Sequence, residues 1–183
     1  MKKSKMIKSR FMNVANSTGV TSKMYETEND ISQQRRSEIS GLLNHRLADA
    51  IDLQLQLKQA HWNVKGPHFI GLHELFDKIA EEVETYVDEI AERAVQLGGI
   101  AQGTVRAAAS GSRLEEYPST IAEGSAHVEA VAKALSTFGR EARVSIDEAN
   151  ALDDADTADL FTEVSRGIDK WLWFVEAHSQ ASK

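Results

Sequence analysis

Apolar side chains recur every three or four positions along most of this chain, which is the repeat of an α-helix with one buried face. The repeat predicts four long helices. The first, second and fourth helices span about residues 32–63, 71–97 and 156–179. The third starts after Pro118 and has apolar positions up to residue 146.

Capping and turn residues stand at these boundaries. Asp30 or Ser32 can cap the first helix, because a short polar side chain can accept a hydrogen bond from a free backbone N–H. Gly98-Gly99 ends the second helix. Pro118 and the spacing Thr120…Glu123, which is that of a capping box, predict where the third helix begins.

The first predicted helix is apolar on more than one side, so we expect it to be buried within a bundle and again in an assembly. Residues 100–117 make a connection too long for a tight turn, with a short helix over residues 104–109. No strand pattern competes with the helical one. The sequence therefore predicts an all-α fold, a four-helix bundle with one long crossover that contains a short helix.

Composition narrows the class of protein. The 183 residues include 42% apolar residues and no cysteine, which excludes disulfides, thiolate metal sites and cysteine nucleophiles. No apolar run approaches the roughly 18 residues of a membrane span, so we expect no membrane partner.

The net charge of −7 is unevenly distributed. Residues 1–25 hold no acidic residue and six basic ones, so they carry +6 and the rest of the chain carries −13. The basic residues are Lys2, Lys3, Lys5, Lys8, Arg10 and Lys23. We therefore divide the chain into a flexible basic arm, 1–28, and a bundle domain, 29–183.

A basic arm on an acidic body is a pattern typical of tails that contact nucleic acid. Two other interpretations are a solubilising tail and a transit peptide. Transit peptides favour Arg, whereas five of the six basic residues here are Lys, which argues against the last.

His73, Asp77, Asp88 and Glu92 in the second predicted helix have spacings of four, eleven and four. At about 100° per residue, these steps keep all four side chains within a stripe about 100° wide. Imidazole and carboxylate are ligands for metal ions, although a charged, solvated helix face would have the same pattern.

The stripe cannot close around one ion, because the eleven residues between Asp77 and Asp88 rise by about 16 Å. Other helices of the same chain could supply the missing ligands. Alternatively, a second copy could pack antiparallel across a two-fold axis, which would create two equal sites. We favour the second arrangement, with His61 joining the half of the site that holds His73 and Asp77.

Four segments resemble the Dps family, the mini-ferritins that protect DNA in starved or oxidatively stressed bacteria. They are KQAHWNVKG, FIGLHELFD, AERAVQLGG and DTADLFTEVSRGIDKWLWFVE. The combined spacing HWN-x9-H-x3-D-x10-D-x3-E is highly specific, and the Lys-bearing arm resembles that of the enteric, DNA-binding type. The resemblance implies a ferritin-like bundle that assembles into a hollow homododecamer with ferroxidase sites at its two-fold interfaces.

The resemblance also implies roles for residues. His61, His73 and Asp77 of one subunit would face Asp88 and Glu92 of its mate and bind Fe2+, which hydrogen peroxide oxidises to Fe3+. Trp62 would be the tryptophan near the site that intercepts radicals. Acidic residues around 147–159 would line three-fold pores through which iron enters, with Asp154, Asp156 and Asp159 as candidates. Carboxylates near a helix N-terminus also have an ordinary stabilising role.

These features leave two main hypotheses of function. The first is a cytoplasmic, nucleoid-associated bacterial ferroxidase that stores iron and binds DNA non-specifically through its arm. The second is a structural DNA-packaging protein with little ferroxidase activity. An ordinary ferritin with its di-iron site inside each bundle would need Glu-x-x-His, which this chain lacks. A catalytically silent cage is the remaining alternative.

Overall fold

The computed structural model describes residues 23–180. Within that range the chain forms five helices: α1 (Gln33–Asn63), α2 (Phe69–Gln96), α3 (Val105–Gly111), α4 (Gly124–Ala151) and α5 (Ala155–Gln180). This confirms the predicted all-α bundle, with α3 as the short helix of the crossover. None of these helices combines the length and the apolar composition that crossing a membrane would require.

The helices pack as two pairs, α1 with α2 and α4 with α5, and α1 also contacts α4. Apolar side chains of the four long helices form one core cluster. Its largest fully buried members include Ile39, Leu43, Leu47, Leu53 and Leu57 of α1, Phe76, Ile79 and Ile90 of α2, Phe138 of α4 and Phe161 of α5.

The predicted capping box at the start of α4 is wrong. The helix begins at Gly124 with Glu123 as its N-cap, and the Glu123 side chain makes no capping hydrogen bond. The reason is a tertiary contact: residues 122–124 pair with the α1–α2 turn instead. Lys65 N donates to Ala122 O at 2.8 Å, and Gly124 N donates to Lys65 O at 3.2 Å.

The crossover is held along α1 by four polar side chains of that helix. Asn44 donates to Ile100 O and accepts from Gln102 N. Asp49 accepts from Arg113 N, and Asp52 accepts from the Ser112 hydroxyl. Gln56 donates to Glu115 O. Four backbone groups of the crossover thus have side-chain partners on α1.

An ionic network lies beneath the crossover. The guanidinium of Arg46 is 1% exposed and lies 3.0 Å from Asp49, which is wholly buried. Arg46 also donates to Glu141 of α4 at 3.0 Å, and Arg113 of the crossover bonds the same carboxylate at 2.8 Å. The Arg46–Asp49 contact is an ion pair without hydrogen-bond geometry.

The last residues of the predicted arm are attached to the body. Tyr25 N donates to Gly98 O at 2.7 Å. The buried Arg36 bonds the carbonyls of Ile31, Tyr25 and Leu97. Gly98 has φ +82°, and a Cβ there would lie 2.5 Å from Tyr25 O, so glycine is required at this contact. Tyr25 therefore lies against the C-terminal end of α2.

Two histidines make the stability of the fold depend on pH. Burial lowers the pKa of His45, as do the charges of Arg113 and Arg46, and burial also lowers the pKa of His127. The ordinary pKa of a histidine is 6.5, so the unfolded chain takes up protons there before the folded one does. We expect the melting temperature to fall as the pH is lowered through 6.5, and to fall less in a His45→Gln/His127→Gln variant. Thermal unfolding of both proteins between about pH 7.5 and 5.5 measures this, and equal slopes would contradict it.

Candidate metal centre

The α1–α2 turn brings His61 and His73 together. Val64 ends α1, Gly66 takes φ +109° and Pro67 follows, so the chain reverses in five residues before α2 begins at Phe69. The two imidazole rings stack with their centroids 3.7 Å apart and 20° between their planes. Histidines twelve positions apart in sequence thus become direct neighbours.

Each of the two histidines is oriented by the backbone of the other. His61 Nδ1 lies 2.8 Å from His73 O, and His73 Nδ1 lies 2.8 Å from His61 O. A carbonyl can only accept, so in both rings the Nδ1 atom carries the proton. Both Nε2 atoms then keep a lone pair, which is the arrangement of metal-binding histidines whose second nitrogen bonds a backbone carbonyl.

Asp77 stands beside this pair, one turn after His73 on α2. Its carboxylate accepts a hydrogen bond from Lys58 at 2.5 Å and lies 3.9 Å from His61 Nδ1. The hydrogen bond from Lys58 is the largest cause that lowers the pKa of Asp77, and the charges of His61 and His73 act in the same direction. Asp77 is therefore an ionised ligand candidate at neutral pH.

Lys58 is the site residue that sequence reasoning missed. Its ammonium group bonds Asp77 and also lies 5.8 Å from the ring centroid of Trp62. Lys58 precedes His61 by three residues on α1 and therefore shares its face, which is the signal that could have found it. A cation that binds Asp77 must displace this ammonium group or share the carboxylate with it.

Asp88 and Glu92 lie in the second half of α2, each at least partly exposed. Along the helix, Asp88 is about 16 Å from Asp77, so these carboxylates do not reach the two histidines of their own chain. In the part of the chain that the structure describes, no group of three or more His, Asp or Glu side chains could hold a metal ion. One chain thus brings together His61, His73 and Asp77 as an incomplete set, with Asp88 and Glu92 elsewhere.

The three aspartates predicted to line a pore differ in their surroundings. Asp154 is 2% exposed, accepts from Thr157 N at 3.0 Å and bonds Arg93 at 2.8 Å. It is thus a capping residue held within the protein, and its carboxylate is not free to line a pore. Asp156 and Asp159, in the first turns of α5, are exposed and remain candidates.

Of the six basic residues predicted to contact DNA, Lys23 lies within the described residues. Its ammonium group is 4.6 Å from the ring centroid of Tyr25. Lys2, Lys3, Lys5, Lys8 and Arg10 lie outside the described residues.

The all-α bundle belongs to the ferritin-like class of proteins, since residues 41–182 match the family model of the ferritin-like domain. A relative from Agrobacterium fabrum, "DNA protection during starvation protein", is 44% identical over 158 residues, or 86% of this chain and 98% of that protein. A protein of the same name from Mycolicibacterium smegmatis is 34% identical over 83% of this chain and 82% of its own length.

Solved structures agree with these relatives. DpsA14 from Streptomyces coelicolor superposes with a TM-score of 0.81 at 34% identity, over 87% of this chain and 94% of that one. The tetragonal form of Mycobacterium smegmatis Dps has a TM-score of 0.78 at 34% identity, over 84% and 94% of the two chains. This chain belongs to the Dps family of mini-ferritins, whose general functions are iron storage and DNA protection.

Proposed function

We propose that this protein is a ferroxidase that oxidises Fe2+, preferably with hydrogen peroxide, at sites shared by two subunits, and stores Fe3+ as mineral in a hollow homododecamer. Fe2+ is the substrate and Fe3+ the product. The observation that carries the proposal is the reciprocal bonding of His61 and His73, which leaves both Nε2 atoms as metal donors beside the ionised Asp77.

A second subunit would supply the rest of the site. If two α2 helices pack antiparallel, Asp88 and Glu92 of one chain come opposite the histidines of the other. Apolar side chains around the α1–α2 turn support such a contact, since Trp62 is 65% exposed, Ile70 61% and Phe69 39%. Large exposed apolar residues in one patch mark a surface that a partner covers.

This donor set suits the proposed reaction. Imidazole and carboxylate bind ferrous iron, and so few protein ligands leave coordination positions for peroxide or water. Reduction of hydrogen peroxide to water takes up two electrons, which two Fe2+ ions can supply without releasing a hydroxyl radical. Trp62, whose ring centroid lies 5.8 Å from the Lys58 ammonium group beside the site, would intercept a radical that does form. Asp156 and Asp159 would attract iron at the pores.

The experiment that tests the reaction is anaerobic loading of the particle with Fe2+ followed by a pulse of peroxide. We expect ferric absorbance to rise much faster than in buffer, with peroxide consumed and iron kept in a soluble particle. Oxidation no faster than in buffer would refute the ferroxidase. Structural DNA packaging, which the uneven charge distribution supports, would then be the leading function.

We propose further that the protein is cytoplasmic and nucleoid-associated and that its arms bind DNA without sequence preference. Twelve arms of +6 would bind together, so that a high effective concentration replaces strong individual contacts. The acidic body repels phosphate, which leaves the arm to make the contacts.

Deleting residues 1–23 is expected to abolish retardation of DNA in a gel while iron oxidation stays at the level of the full chain. A matched variant keeps the length of the arm and replaces Lys2, Lys3, Lys5, Lys8 and Arg10 by glutamine. It should lose DNA binding equally, because the contacts are electrostatic. For the full chain, about six phosphate contacts per arm predict a loss of roughly 10³ in affinity between about 50 and 200 mM salt. A truncated protein that still retards DNA at low salt would contradict the role of the arm.

A further inference from the structure

A buried tyrosine–histidine pair lies next to the α1–α2 turn but contributes no metal ligand. Tyr117, near the end of the crossover, has its hydroxyl 2.6 Å from Nδ1 of His127 in the first turn of α4. His127 is wholly buried. Burial raises the pKa of Tyr117, so the phenol keeps its proton at neutral pH and donates it to Nδ1.

The second ring nitrogen of His127 must then carry the proton of the neutral imidazole. This Nε2 atom is buried and, among the described residues, has no hydrogen-bond partner. The backbone carbonyls of Ile121 and Asn63 act against burial and partly restore the pKa of His127.

Asn63 is the last residue of α1, so its carbonyl has no donor within the helix. It follows His61 by two residues. The same end of α1 is held by the backbone pairing of Lys65 with Ala122 and Gly124. A Cβ on Gly124 would lie 2.7 Å from Leu72 Cδ1, so glycine lets the start of α4 approach α2 one residue before His73.

We propose that Tyr117 and His127 are positioning residues that hold the α1–α2 turn in the register in which the reciprocal hydrogen bonds of His61 and His73 leave both Nε2 atoms available to bind metal. This inference rests on the proposed function. The two reciprocal hydrogen bonds need the carbonyls of His61 and His73 at fixed positions. The pairing of Lys65 with residues 122 and 124, beside the Tyr117–His127 pair, fixes the chain four residues beyond His61. Without the Tyr117–His127 pair the turn can widen, and the reciprocal hydrogen bonds that orient the two rings are lost.

The test uses the full chain and Co2+ as a probe with visible absorption bands that report ligand geometry. The variants are His127→Gln and the milder Tyr117→Phe, which keeps the ring and removes the hydroxyl. His45→Gln is the matched control, because it also replaces a partly buried imidazole but lies sixteen residues before His61 on the same helix. For each protein we would measure the Co2+ spectrum and dissociation constant, KM and kcat for Fe2+ oxidation, and amide exchange of Lys65.

We expect His127→Gln to weaken Co2+ binding about tenfold, in the range known for residues that orient metal ligands, and to change its spectrum. KM for Fe2+ should rise more than kcat falls, and the Lys65 amide should exchange faster. Tyr117→Phe should show the same changes at about threefold, and His45→Gln should stay within about twofold of wild type.

Wild-type Co2+ spectra and affinities in both variants, even with lower melting temperatures, would overturn the inference and leave the pair a role in stability alone. If His127→Gln does not fold, Tyr117→Phe decides on the same criteria. Failure of the proposed function is recognisable separately, because the wild-type chain itself would then bind no Co2+ at the histidines and oxidise no Fe2+.

Discussion

Replacing His73 by alanine is expected to lower peroxide-dependent oxidation of Fe2+ by roughly 100-fold or more. Loss of a residue that merely orients a metal ligand costs about 10–100-fold, and His73 is itself a proposed ligand whose ring also stacks on His61. Stopped-flow absorbance of ferric product measures the rate. His178→Ala is the control, since that exposed histidine lies near the end of α5 and bonds Phe174 O of its own helix. A His73→Ala protein that oxidises iron as fast as wild type would support the silent cage.

A mixture of two defective chains decides whether the site is shared. One chain carries His73→Ala/Asp77→Ala and the other Asp88→Ala/Glu92→Ala, so each alone should be inactive. In a pair that contains one chain of each kind, one of the two sites combines the intact histidine half of one chain with the intact Asp88 and Glu92 of the other. Random pairing should therefore restore about a quarter of wild-type activity. Ligands supplied within one chain would leave the mixture inactive.

The spacing of the stripe on α2 already shows that its four side chains cannot bind one metal ion within a single chain. The eleven residues between Asp77 and Asp88 separate the two halves of the stripe by about 16 Å along the helix. The structure agrees, since it keeps Asp88 and Glu92 away from the two histidines of their own chain. The stacking of His61 on His73 could not be predicted in the same way. It depends on a tight turn whose geometry is set by Gly66 and by pairing with residues 122–124.

Local signals located the helices well and failed where a tertiary contact overrode them. Gly98-Gly99 ends α2 as predicted, and Gly98 has a second role because its missing Cβ lets Tyr25 approach. Trp171 is buried and Trp173 exposed, as expected of residues two apart on a helix. The capping pattern at Thr120 failed because Lys65 competes for the same backbone groups.

The buried ionic network shows a different limit of sequence reasoning. The first helix was expected to be buried on more than one side, and Arg46 and Asp49 lie on that helix at a spacing of three. Pairing within α1 could therefore be inferred. The contacts to Glu141 and Arg113 could not, because those residues are 95 and 67 positions from Arg46, and only the packed bundle brings them together.

Replacing Arg46 by methionine is expected to lower the free energy of unfolding by about 3–5 kcal/mol, because breaking a buried ion pair leaves an uncompensated charge. Asp49 is wholly buried and would lose its ion pair with Arg46, and Glu141 would keep its contact with the half-exposed Arg113. Arg113→Met should cost less than about 1 kcal/mol, since that side chain pairs at the surface. Urea unfolding at one fixed subunit concentration compares the variants, because assembly also contributes to stability.

A second substitution separates charge from packing at the same place. Arg46→Met/Asp49→Asn removes the uncompensated carboxylate but keeps the amide oxygen that can accept from Arg113 N, as Asp49 does at 2.7 Å. We expect this double variant to be more stable than Arg46→Met alone, because the cost of the single change comes mainly from burying an unpaired charge. If the double variant is instead less stable, the carboxylate of Asp49 stabilises the fold even without Arg46, through the hydrogen bond that it accepts from Arg113 N. The crossover would then be held by the backbone contact to residue 49 rather than by the ion pair.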